Sequence, residues 1–230
     1  MTQTFPRWIM EALGTMFFTM TMCSAWSNGS VLHNSLAVGV SWALIHSVFN
    51  SHCDAHFNPL LTVGDFVRAK SSERNFLTVL QTIFAQYVGC AVGICLLEKL
   101  AGTTSISEYA GATGAQEYIM LFVLAAFLVK FFWADGKSFY SENGSNFDGI
   151  WYAVAIAVVH MIGNSSADAN MANPAVYTGA GVQNVISSIF DSEVEFDAFG
   201  FFSTQLLQNL SMYLGAIVSV LATAYTYGGK

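Results

Sequence analysis

The sequence predicts an all-α membrane protein: six transmembrane helices and two re-entrant half-helices, laid out as two inverted halves. Three observations carry that prediction. Of the 230 residues 54% are hydrophobic and only 10% charged, with a mean hydropathy of +0.50. A soluble domain carries roughly 25% charged residues and needs them to cover its surface. Two Asn-Pro pairs, Asn58-Pro59 and Asn173-Pro174, hold two of the three prolines and stand half a chain length apart. Asn followed by Pro is a helix-start signal, an N-cap and then a first helical residue whose missing N–H is no loss. Here both starts fall inside apolar sequence. Finally, the Lys and Arg residues fall almost entirely on one side of the resulting topology.

The first span is read over 7–26; Glu11 inside it sets it apart from a cleavable leader. The second covers 32–50. Segment 51–75 then carries Asn58-Pro59 and the apolar run Leu60-Leu61-Thr62-Val63. A bilayer core of ~30 Å takes about 20 helical residues, so this run is too short to cross and suits a half-helix of roughly half the membrane thickness. Spans three and four cover 76–98 and 116–134. Span five, 148–163, reaches the required length only with its flanks. Segment 164–202 repeats the earlier connection, with Asn173-Pro174 followed by an apolar run from Ala175 to Val185. Span six covers 203–227. The expectation is a single domain, residues 1–230, made of half-repeats at about 1–110 and 111–230. Each half has an odd number of spans, so the halves are inverted. The two half-helices then enter from opposite faces and meet at mid-membrane.

With both termini on one face, Arg7, Arg68, Lys70, Arg74, Lys130, Lys137 and Lys230 lie on that face and Lys99 on the other. This positive-inside pattern independently calls for an even number of spans. The net charge is −7 and no basic patch exists, which argues against a nucleic-acid partner and leaves the lipid bilayer as the expected surroundings. Cys23, Cys53, Cys90 and Cys95 show no metal or redox spacing and read as small packing residues. No nucleophile–base pair, metal cluster or phosphate loop points to an enzyme or to a cofactor.

The chemistry of the two helix starts is specific. A helix N-terminus carries about +0.5 charge and unsatisfied N–H groups. Two such ends meeting at mid-membrane raise a barrier to cations and protons. Asn58 and Asn173, capping those ends, can offer carboxamide N–H groups to a lumen. A water there accepts from both, so a proton wire is interrupted while neutral molecules pass.

The stretch His52-Cys53-Asp54-Ala55-His56-Phe57-Asn58-Pro59-Leu60-Leu61-Thr62 resembles the first signature loop of the aquaporin, or major intrinsic protein, family, whose pattern is Ser-Gly-Ala-His-x-Asn-Pro-Ala-Val-Thr. Asn170-Met171-Ala172-Asn173-Pro174-Ala175 resembles the second. Glu11-Ala12-Leu13-Gly14-Thr15 resembles the family's first helix, Ala85-Gln86 with Gly89 its third, Gln116-Glu117 its fourth and Leu214-Gly215-Ala216 its sixth. The likeness therefore runs nearly the whole chain. It implies a passive channel for water or small neutral solutes, assembled as a homotetramer with a pore in each protomer. The pore signature would be Asn58, Pro59 and Leu60 with Asn173, Pro174 and Ala175. Glu11 and Glu117 would brace the backbone of the re-entrant loops, since a carboxylate in an apolar span costs several kcal/mol without partners. His56 would orient its loop, and Gln86 would bond between helices.

The same resemblance implies an outer constriction formed by Val38 from span two, His160 from span five, Asn170 from the loop, and Val176 where the family usually has Arg. Such a neck lacks a fixed cation. Leu60 also replaces the usual Ala of the first triplet. Both departures resemble the divergent small intrinsic and super-aquaporin types. They fit a channel of altered selectivity, and they fit a non-conducting structural subunit of a larger membrane complex. A secondary transporter with inverted repeats would need a charged mid-membrane site beyond the two glutamates, and none is present in the sequence.

Overall fold

The computed structural model describes residues 5–26, 30–69, 75–101, 115–132, 148–166, 172–190 and 198–227. These residues form eight helices: α1 (Arg7–Trp26), α2 (Val31–Phe49), α3 (Pro59–Arg68), α4 (Phe76–Ala101), α5 (Ala115–Lys130), α6 (Asp148–Ser166), α7 (Pro174–Phe190) and α8 (Ala198–Tyr227). Six are the spans; α3 and α7 are the two that start at Asn-Pro. The fold is that of an all-helical membrane protein.

Side-chain distribution shows the solvent is lipid. Leu32, Leu36, Val40, Leu44 and Val48 form an exposed stripe along α2, and Leu80, Phe84, Val88, Val92 and Leu96 form one along α4. The four-residue step keeps each stripe on one helix face. The interior is mainly apolar too, but polar groups are buried within it, among them Glu11, Thr15, Ser35, Gln86 and Gln208. Large apolar stripes outside, with polar side chains inside, depart from the pattern of a water-soluble bundle.

Contacts between helices set their directions. Glu11 meets Gln86, Ala12 faces Gly89 and Met16 faces Gly93, pairs that advance together, so α1 and α4 run parallel. Ser35 meets His160, Gly39 faces Ala153 and Trp42 meets Tyr152, pairs that run in opposite senses, so α2 and α6 are antiparallel. In the second half Gly215 of α8 packs on the Phe122 backbone of α5 as Gly93 of α4 packs on Met16 of α1. The close pairs are made by glycine. A Cβ at Gly89 would overlap the carbonyl oxygen of Ala12. Gly89→Leu is therefore expected to separate α1 from α4 at a cost of about 3 kcal/mol or more, read as loss of monodisperse protein in detergent. A variant with the wild-type melting profile would contradict this account of the α1–α4 contact.

Two lengths differ from the sequence expectation. The second re-entrant helix runs on to Phe190, 17 residues against the 10 of α3. At 1.5 Å per residue that is about 25 Å, more than half the membrane core. Its apolar run is long enough to continue past the point where α3 meets Ala69. Among the described helices, three are by themselves long and apolar enough to cross a membrane, within Val31–Phe49, Phe76–Leu100 and Ser203–Tyr225. The others fall short because α1 carries Glu11 and several threonines, α5 has 16 residues, and the apolar part of α6 is Tyr152–Gly163. These helices reach their places by packing on neighbours, not by hydropathy alone.

Candidate functional site

Each Asn-Pro pair does two jobs with one side chain. Asn58 holds an extended conformation ahead of α3, and its Oδ1 accepts from Leu60 N at 2.9 Å. Its Nδ2 donates across the molecule to the carbonyl of Ala172, 2.8 Å away. Asn173 mirrors this: Oδ1 accepts from Ala175 N at 3.1 Å, and Nδ2 donates to the carbonyl of Phe57 at 3.2 Å. Pro59 and Pro174 follow as first helical residues. The two half-helices are thus capped and stitched end to end by four bonds from two residues. The expectation was that both carboxamides can offer N–H groups to the lumen. One N–H of each is held by the opposite loop, which leaves one hydrogen on each Nδ2. Both residues still line the central cavity.

The loop ahead of α3 needs support, because Ala55 and Phe57 have φ of 51° and 50°. Non-glycine residues in this left-handed region cost of order 1–3 kcal/mol each and persist only when their surroundings hold them. Glu11 supplies much of that hold. It is 1% exposed, and its Oε1 accepts from Phe57 N at 2.6 Å and from Gln86 Nε2 at 2.8 Å. One turn further along α1, Gly14 leaves the space that the Phe57 ring fills; a Cβ there would overlap the ring. Gln86 Nε2 also lies 3.0 Å from Thr62 Oγ1, and His56 Nδ1 lies 3.2 Å from the same oxygen. His46 Nδ1, at 3.1 Å from the Ala55 carbonyl, adds a contact the sequence did not suggest. With Phe57 turned this way, its carbonyl faces Asn173, so the brace on α1 sets the geometry at the centre.

Glu117 sits differently from Glu11. It lies half-buried in the first turn of α5, and residues 167–171 of the loop it was expected to brace lie outside the described residues. The repeat gives the second half a counterpart of Gln86. Glu117 precedes Phe122 at the spacing of Glu11 before Met16, and Gln208 precedes Gly215 at the spacing of Gln86 before Gly93. Gln208 is wholly buried and occupies the place of Gln86 in the second half. Sequence reasoning missed it, although the matched Gln-to-Gly spacing in spans three and six was there to find.

A cavity lies on the line joining the halves, walled by Asn58, Asn173, Val38, His160, Trp42 and Tyr152 with apolar neighbours from α1, α5 and α6. Its volume for water is about 30 Å³, enough for about two molecules at roughly 10–15 Å³ each. Of the expected outer constriction, Val38 and His160 belong to this wall, and His160 Nδ1 lies 3.0 Å from Ser35 Oγ. Val176 and Leu60 are buried at 1% and 0% exposure and are not part of the wall. Asn170 lies outside the described residues.

Two half-helices with opposed, capped N-termini around a narrow lumen define a polytopic channel fold. The chain belongs to the major intrinsic protein family, whose model matches residues 2–222. Members of this family are transmembrane channels for water or small solutes and not enzymes, and the chain is accordingly an integral membrane protein. Its structure is similar to the X-ray structure of the aquaglyceroporin from Plasmodium falciparum, with a TM-score of 0.70, 15% sequence identity, and coverage of 96% of this chain and 95% of that one. At that identity the likeness speaks for the fold. Among curated protein sequences none matches.

Proposed function

We propose that this chain is a passive channel for water and small neutral solutes that excludes ions and protons, with Asn58 and Asn173 as its central barrier. The observation that supports this most is the reciprocal pair of bonds, Asn58 to Ala172 and Asn173 to Phe57, which brings two positive helix ends together at the wall of the lumen. Glu11 with Gln86 serves to position the first loop, and Glu117 the second. Val38 and His160 form the outer neck, and Val176 brings no fixed cation to it.

The test is osmotic. Vesicles reconstituted with the full chain are expected to shrink in hyperosmotic buffer faster than empty vesicles, with a shallow temperature dependence and no dissipation of an imposed pH gradient. Folded, correctly inserted protein whose vesicles shrink at the empty-vesicle rate would overturn the proposal. It would then favour a structural subunit of a larger membrane assembly.

A further inference from the structure

We propose that selection by size in this lumen is made on the inner side of the Asn58–Asn173 pair, by Trp42 and Tyr152, and that this second neck passes molecules of water's size while holding back polyols. The inference rests on the conducting reading above. α2 and α6 cross antiparallel and line the lumen twice. Toward the outer side they contribute Val38 and His160. Further along α2 toward the inner side, and back along α6, they contribute Trp42 and Tyr152.

Both pairs are buried, Val38 and His160 at 1% and 2% exposure, and the inner pair is also closed by its own ring contacts. Trp42 and Tyr152 are 1% and 3% exposed, and their rings meet edge to face with centroids 4.2 Å apart. Each ring is held from behind. Trp42 stacks on His46 at 4.4 Å, and Phe132 meets Tyr152 edge-on at 4.5 Å. The backbones are pressed together at the same level. Gly39, one turn before Trp42 on the same face, packs where a Cβ would strike the carbonyl of Ala153, the residue after Tyr152. Neither helix sliding nor a simple ring swing widens this point without disturbing several neighbours.

The pair also carries hydrogen-bonding groups. Trp42 Nε1–H and the Tyr152 hydroxyl are buried and make no hydrogen bond to protein among the described residues, yet both side chains wall the cavity. Buried polar groups are ordinarily satisfied. At the wall of a cavity with room for about two waters, a passing small polar molecule is the partner that would satisfy them.

The experiment compares water and glycerol permeability in vesicles containing the full chain. Wild type should conduct water and exclude glycerol. Trp42→Ala should raise glycerol permeability by about tenfold or more, the response to a barrier lower by one decade in rate, with a much smaller change for water. Trp42→Phe, a milder change that keeps a ring and loses the N–H, should shift the ratio in the same direction. Tyr152→Phe keeps the ring packing and removes the hydroxyl, so it should slow water by a few-fold while glycerol stays excluded; a purely structural ring would leave water unchanged. Val40→Ala, on the lipid-facing stripe of α2, should leave the glycerol-to-water ratio at that of wild type, and Val38→Ala should shift it less than Trp42→Ala does. A wild-type ratio in both Trp42 variants, with the ratio shifted by Val38→Ala, would overturn the inference while leaving the channel reading intact. Silence of wild type and all variants would end both. A silent wild type opened by Trp42→Ala would support the inner neck as the barrier and end the reading of wild type as an open channel.

Discussion

Glu11→Ala is expected to lose the folded protein, with a destabilisation of about 3–5 kcal/mol and little or no monodisperse material after extraction. The substitution strands two buried donors at once, the Phe57 N–H and the Gln86 carboxamide. Each unsatisfied buried group costs about 1–3 kcal/mol. It also releases a loop in which Ala55 and Phe57 hold left-handed backbone that only their surroundings maintain. Glu11→Gln keeps an oxygen for Phe57 N and should recover much of the loss. Thermal unfolding in detergent, with both variants beside wild type, measures it. A wild-type Tm for Glu11→Ala would show that the loop is held by something other than α1.

Asn58→Asp should keep the fold and spoil the discrimination. The carboxylate can still accept from Leu60 N and cap α3, but it cannot donate to the carbonyl of Ala172. It also sets a full negative charge where one helix end supplies about +0.5. The barrier to cations is then cancelled locally. Each 1.4 kcal/mol removed is about a tenfold rise in rate, so proton leak should rise by about ten times or more. The readout is the decay of a pH gradient in vesicles clamped at zero potential, with water permeability followed in parallel. Water that still passes while protons remain excluded would mean that the opposed helix ends do not set the barrier.

Some of this molecule was legible in the sequence alone. Asn-Pro capping is local chemistry, decided within four residues, so the starts of α3 and α7 could be read directly. Glu11 drew attention because a carboxylate in an apolar span demands partners. Inversion of the halves followed from counting. The parts that escaped depend on crossings between distant segments. Trp42 reads in the sequence as one more aromatic in an apolar span, and only the α2–α6 crossing sets it against Tyr152. Gln208 drew no notice in the sequence, and Gly215 on Phe122 shows its place in the repeat. The full length of α7 escaped because an apolar run does not announce where a re-entrant helix stops. Val176 and Leu60 were expected to shape the lumen; both are buried, and neither lines the cavity beside Asn58 and Asn173.

The brace on α1 also has a history in time. Glu11 is synthesised 46 residues ahead of Phe57 and 75 residues ahead of Gln86, the two groups that satisfy it. At about 5–20 residues per second, that is roughly 4–15 s before the second partner leaves the ribosome. A charged side chain at the centre of a lone helix costs about 2.5–3.5 kcal/mol on insertion, and Glu11, in the second turn of α1, meets part of that cost. Over that interval the carboxylate must be kept in contact with water or the insertion machinery. Entry of the first helix into the bilayer and settlement of its charge are therefore separate events, the second waiting on the arrival of α4.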